Sequence, residues 1–80
     1  MISKDVYLDT KRWIKCLCLT NLKQLCDDME LTEYERALIM GYYNGETVVS
    51  QCMNLNISKG KYTNDLKMIC TKIYNYKSTL

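Results

Sequence analysis

The residues best suited to chemistry lie together in the stretch NISKGKYTNDLK, residues 56–67. Ser58 has the type and position of a helix cap. Behind it, Lys59, Lys61 and Lys67 supply positive charge, Thr63 a hydroxyl, and Asn64 an amide that donates and accepts at once. A capped helix start leaves backbone amides and the positive end of the dipole free for phosphate. The lysines add counter-charge for a polyanion. An amide on the same helix can pair with a base edge in the major groove of DNA. Lys59, Thr63 and Lys67 recur at i and i+4 and so share a face, expected opposite to Tyr62, Leu66 and Ile69. The chemistry implied is docking to double-stranded DNA, with Ser58, Lys59, Lys61, Thr63, Asn64 and Lys67 as the contacting residues.

Other chemistries find little support. The chain has no His, and its five Cys (16, 18, 26, 52 and 70) form no C-x-x-C pair. No ligand set for a metal is evident. Three of the five Cys fall on apolar helical stripes, which reads as reduced core residues and a reducing compartment. No Ser or Cys has an evident base beside it, and there is no phosphate loop and no paired carboxylate in a Gly-rich setting. Neither an enzyme nor a cofactor is expected. The N-terminus lacks the apolar run of a signal peptide, and no stretch nears the ~20 apolar residues of a membrane span. These points imply a soluble, cytoplasmic protein.

The elements that must position these residues follow from periodicity. Eighty residues, three Gly and no Pro suit one mostly helical domain with a marginal core. Residues 1–8 are expected to form a loose lead-in. Asp9 or Thr10 is expected to cap a long first helix that runs to about Asp28. Ile14, Cys18, Leu22, Leu25 and Met29 make its apolar stripe, with Leu17 beside them. That stripe serves either intramolecular packing or a coiled-coil seam in a homodimer. Thr32 and Glu35 form a capping box for the second helix, whose buried side is Ala37, Leu38, Met40 and Gly41. Asn44-Gly45 ends it. Thr47 caps a short third helix with Val48, Cys52 and Leu55 inward. The fourth helix, about 59–76, buries Tyr62, Leu66, Ile69, Cys70, Ile73 and Tyr76. The expected fold is an all-α, four-helix helix-turn-helix domain with a longer N-terminal helix. Residues 1–30 form its arm and first helix, and 31–76 its helix-turn-helix region.

Charge agrees with this division. Residues 1–30 carry five basic and five acidic side chains, whereas 59–80 carry five Lys against Asp65 alone. An anionic partner would dock at the C-terminal end.

The stretch 31–73 resembles the helix-turn-helix shared by region 4 of bacterial sigma factors and the DNA-binding domain of LuxR-type regulators. The resemblance rests on Leu31-Thr32, Glu35-Arg36, Leu38-Ile39, Gly45, Thr47, Leu55-Asn56-Ile57-Ser58, Leu66, Ile69 and Lys72-Ile73, in ungapped register. It implies a transcriptional regulator in which Lys59, Lys61, Thr63 and Asn64 face DNA. Lys67 joins them on charge and spacing. The chain departs from the pattern at three places. Gln51-Cys52 stands for I-A, Lys61-Tyr62 for T-V, and Asp65 for a basic residue. Gln51 is not a core residue type, which implies a rotated third helix or an amide presented to a partner group. Tyr62 needs a larger pocket than Val. Asp65 opposes phosphate, although it can accept from a cytosine amine. The length is similar to that of small regulators of phages and mobile elements. A single short recognition helix gains useful specificity as a dimer on two half-sites. A second reading keeps the fold and changes the partner: a host complex such as RNA polymerase, a sigma factor or a defence complex, anchored by the many tyrosines.

Overall fold

The computed structural model describes residues 3–78. The chain forms five helices: α1 Lys4–Cys16, α2 Leu19–Asp28, α3 Glu33–Tyr43, α4 Val48–Leu55 and α5 Lys59–Ser78. No strand occurs among the described residues. The all-α expectation holds; the four-helix count and the long N-terminal helix do not. The longest helix is α5, with 20 residues, at the other end of the chain.

Two local facts undo the single first helix. Ser3, not Asp9 or Thr10, caps α1: its hydroxyl accepts from the Val6 amide. Asp9 and Thr10 lie within α1, where the buried Thr10 hydroxyl donates back to the Val6 carbonyl at 2.8 Å. The helix then stops at Leu17 and Cys18, both in extended backbone. A carbonyl freed by such a break needs a partner. The Tyr43 hydroxyl supplies one, donating to the Leu17 oxygen at 2.6 Å. The apolar period runs through the break unchanged, so periodicity alone could not register it.

Each later junction has an identifiable cap. The Thr32–Glu35 capping box is present in full. Arg36, the next residue, works on the preceding helix. Its guanidinium donates to the carbonyls of Leu31 and Cys26 and pairs with Asp27 at 2.7 Å, which offsets the negative end of α2. Thr47 caps α4 by accepting from the Ser50 amide, and Ser58 caps α5 by accepting from the Lys61 amide.

The core is built around α5, against which α1, α3 and α4 pack. Its buried members include Ile14, Leu22, Leu25, Leu38, Ile39, Leu66, Ile69, Cys70 and Ile73. The first-helix stripe is divided by this arrangement. Ile14, Leu22 and Leu25 are buried within the chain, Met29 is half-buried and Cys18 is exposed. Most of that stripe is thus used in packing within the chain. On α3, Ala37 is exposed and Ile39 takes the buried position instead. On α4, Val48 lies largely outside and Cys52 and Leu55 only half inside. No helix among the described residues is long and apolar enough to cross a membrane.

Candidate nucleic-acid interface

A turn of three residues, Asn56 to Ser58, joins α4 to α5. Asn56 stands in the left-handed region (φ 57°, ψ 49°), a conformation that Asn tolerates better than most residues with a Cβ. Its amide donates into the carbonyls at the end of α4, closing that helix. Ile57 then turns partly inward, and Ser58 caps α5, which starts at Lys59. Across this turn α4 packs against α5.

Six side chains were expected on the docking face. Ser58, Lys59, Lys61, Thr63 and Asn64 are exposed in the first two turns of α5. Lys67 differs. It is half-buried, and its ammonium stands 5.9 Å from the centre of the Tyr7 ring on α1. Lys67 thus lies beside α1, whereas Thr63 and Lys59, one and two turns earlier on the same side of α5, stay exposed. Lys61 is also engaged, 3.1 Å from the Asp65 carboxylate and over the Tyr34 ring.

Asp65, expected to oppose phosphate, is turned away from solvent. Its side chain is 19% exposed and accepts a 2.5 Å hydrogen bond from the Tyr34 hydroxyl. That bond, followed by the contact with Lys61, holds its carboxyl below the usual aspartate range. Burial, with the Asp65 bond second, pushes the Tyr34 hydroxyl up to about 12. Tyr34 is the partner that sequence reasoning missed. Only its place in the first turn of α3 hinted that it could reach α5.

The other two departures from the sequence pattern explain each other. Gln51 is 3% exposed, in the core after all. Its amide nitrogen donates to the Leu38 carbonyl at 3.2 Å, and its oxygen accepts from the Tyr62 hydroxyl. Every polar atom of a buried amide needs a partner, and these bonds join α3, α4 and α5 at one point. Gly41 makes the room. A Cβ there would lie 2.0 Å from the Gln51 nitrogen. α4 is thus seated by the Gln51 amide, and the Tyr62 hydroxyl is accommodated in the core because Gln51 accepts from it.

The charge excess on α5 is largely committed. Lys72 pairs with Glu35 at 2.6 Å, and this contact lowers the Glu35 carboxyl below its ordinary range. Lys77 lies over the Trp13 ring at 4.9 Å. Among the described residues, Lys59 alone of the five C-terminal lysines carries neither an ion pair nor a ring contact.

The cysteines divide by position. Cys26 and Cys70 are buried, Cys52 is half-buried, and Cys16 and Cys18 are exposed at the α1–α2 break. Burial raises the Cys26 thiol and pushes that of Cys70 up to about 12, which keeps both protonated. Cys18 thus leaves the stripe to which its spacing assigned it. Among the described residues, no group of three or more His, Cys, Asp or Glu side chains is arranged to hold a metal ion.

Comparison of the chain with protein-family models, with curated proteins and with solved structures finds no match.

Proposed function

We propose that the chain is a small DNA-binding regulator of transcription that inserts the N-terminal part of α5 into the major groove. The observation that carries this reading is the α4–turn–α5 unit. A three-residue turn leads into a capped helix whose Lys59, Thr63 and Asn64 are exposed, while Tyr62, Leu66 and Ile69 on the same helix are buried. A helix held by one side and polar on the other suits the major groove. Lys59 and the α5 start supply phosphate contacts, and Asn64 is placed for a base edge.

The test is binding of the purified protein to double-stranded DNA at about 50 and 200 mM salt, a range over which a protein making about six phosphate contacts loses ~10³-fold in affinity. Fewer contacts give a shallower fall. Salt-sensitive binding that Lys59→Glu and Lys61→Glu abolish supports the reading. No binding at the lower salt refutes it.

A second reading, a module that docks on a host protein complex such as RNA polymerase, a sigma factor or a defence complex, is favoured by one feature. Val49 and Met53, one turn apart on α4, are 55% and 76% exposed. An apolar ridge of that kind suits a protein partner better than a phosphate backbone. If DNA binding fails, this ridge is the surface to mutate.

A further inference from the structure

A row of alternating cations and rings runs from α5 across α1 to the end of α3. The Lys67 ammonium lies 5.9 Å from the Tyr7 ring centre. The Lys11 ammonium lies 4.7 Å from Tyr7 and 5.4 Å from Tyr42. Lys15 lies 4.7 Å from Tyr42. Three ammonium groups from two helices thus converge on two neighbouring rings.

None of the three forms an ion pair among the described residues. The ion pairs among the described residues are Arg12–Asp9, Arg36–Asp27, Lys61–Asp65 and Lys72–Glu35, and none includes Lys11, Lys15 or Lys67. Glu46, in the loop after Tyr42, brings its carboxylate beside Gly41 and Tyr62. The rings bring no negative charge either. Burial pushes the Tyr7 hydroxyl up to about 12 and raises that of Tyr42, so both are neutral at physiological pH. Ring faces attract the ammonium groups and hold them in place. They do not cancel the repulsion among three like charges.

Such a cluster of positive charge favours an anionic partner. Its position says which one. Lys67 belongs to α5, and Tyr42 lies five residues before Thr47, the cap of α4. The row therefore connects the flank of the proposed recognition helix to the approach to α4. We infer that Lys11, Lys15 and Lys67 form a track for the phosphate backbone of the same DNA duplex whose groove α5 enters. This makes α1 part of the interface, and it rests on the DNA-binding reading above. Phosphate contacts of this kind position a protein without reading sequence.

The experiment compares the whole chain with a Lys11→Gln/Lys15→Gln variant and a Lys23→Gln control, on a random 20-base-pair duplex over a salt series. Lys23 is an exposed lysine on α2, beside Cys26, Asp27 and Arg36, with no ring contact to Tyr7 or Tyr42 among the described residues. Circular dichroism melts confirm that each variant folds. Each phosphate contact contributes about 0.9 to the slope of log affinity against log salt. The double variant is expected to lose about 1.8 of that slope, equally on unrelated sequences, with Lys23→Gln unchanged. A double variant that keeps the full slope, or a control that loses as much per charge, overturns the track while leaving groove binding intact. Failure of the unmodified chain to bind DNA at any salt overturns both, and is a different result. Should the double variant not fold, Lys15→Gln alone, at an exposed position, is read the same way for a loss of about 0.9.

Discussion

The two halves of α5 are held by different forces. Toward the C-terminus, Ile69, Cys70 and Ile73 are buried together with Ile14, Leu22, Leu25 and Leu38. That contact is mainly apolar, with the Lys72–Glu35 pair and the Tyr76–Asp28 hydrogen bond at its edge. Toward the N-terminus, the helix is held by polar bonds: Tyr62 to Gln51 and on to the Leu38 carbonyl, and Asp65 to Tyr34 and Lys61. Apolar burial scales with area and tolerates small shifts. A hydrogen bond between buried groups contributes less net stability but fails steeply with geometry. The C-terminal half therefore supplies most of the stability, and the N-terminal half fixes the direction in which the exposed side chains point.

The largest expected effect belongs to the apolar half. Ile73→Ala removes a fully buried side chain from the centre of the core and should destabilise by about 2–5 kcal/mol. For a chain this short, total stability is of order 4–12 kcal/mol, so the urea midpoint should drop sharply. Protein that stays folded should bind DNA unchanged. A midpoint shift smaller than that of Tyr62→Phe would reverse the assignment of the two halves.

Tyr62→Phe comes next. It removes a hydroxyl and leaves the buried Gln51 oxygen without its donor, at about 1–3 kcal/mol. Replacing both, as Tyr62→Phe with Gln51→Leu, removes the unpaired group and should recover much of that loss. The coupling is measured as a double-mutant cycle in urea. Additive losses would mean that the two side chains do not depend on each other.

Gly41→Ala ranks third. Alanine in a helix interior is worth about 1 kcal/mol over glycine, which favours the variant. Its Cβ, however, would meet the Gln51 amide at 2.0 Å, and Gln51 can retreat only by giving up Leu38 and Tyr62. Overpacking costs about 1–3 kcal/mol, so a net loss of about 1 kcal/mol is expected, with a shift in the amide spectrum of α4. A more stable variant would show that the amide bonds are dispensable.

These pins also mark where the sequence was legible. Caps at Thr32, Thr47 and Ser58 and the buried face of α5 were readable because each is set within a few residues. The break at Leu17 was not, because its partner, the Tyr43 hydroxyl, lies 26 residues away. Gln51 and Asp65 each read as a poor fit to the pattern for the same reason. Tyr62 and Tyr34, which satisfy them, are 11 and 31 residues distant, and only the fold brings them together. Of the candidate docking residues, spacing placed Ser58, Lys59, Lys61, Thr63 and Asn64 on the surface, but it could not show that α1 would lie beside Lys67.

Asp65 gives the smallest stability effect and bears most directly on the proposed function. Its folded carboxyl titrates below the ordinary aspartate value of 3.8, because Tyr34 and Lys61 favour the ionised form. The stability it contributes is thus fully present above that value and lost as pH falls through the lower, folded one. Asp65→Asn should flatten the acid side of the stability profile below about pH 4, by no more than the ~1 kcal/mol typical of a pair at the surface. Glu35, lowered in the same way by Lys72, keeps part of the slope. The same substitution should strengthen DNA binding. It removes a negative charge from the N-terminal half of α5 and releases Lys61, whose ammonium can then displace a counterion and add about 0.9 to the salt slope. Weaker binding, or an unchanged slope, would mean that this side of α5 faces away from the phosphates, and that the polar bonds of the N-terminal half aim the helix elsewhere.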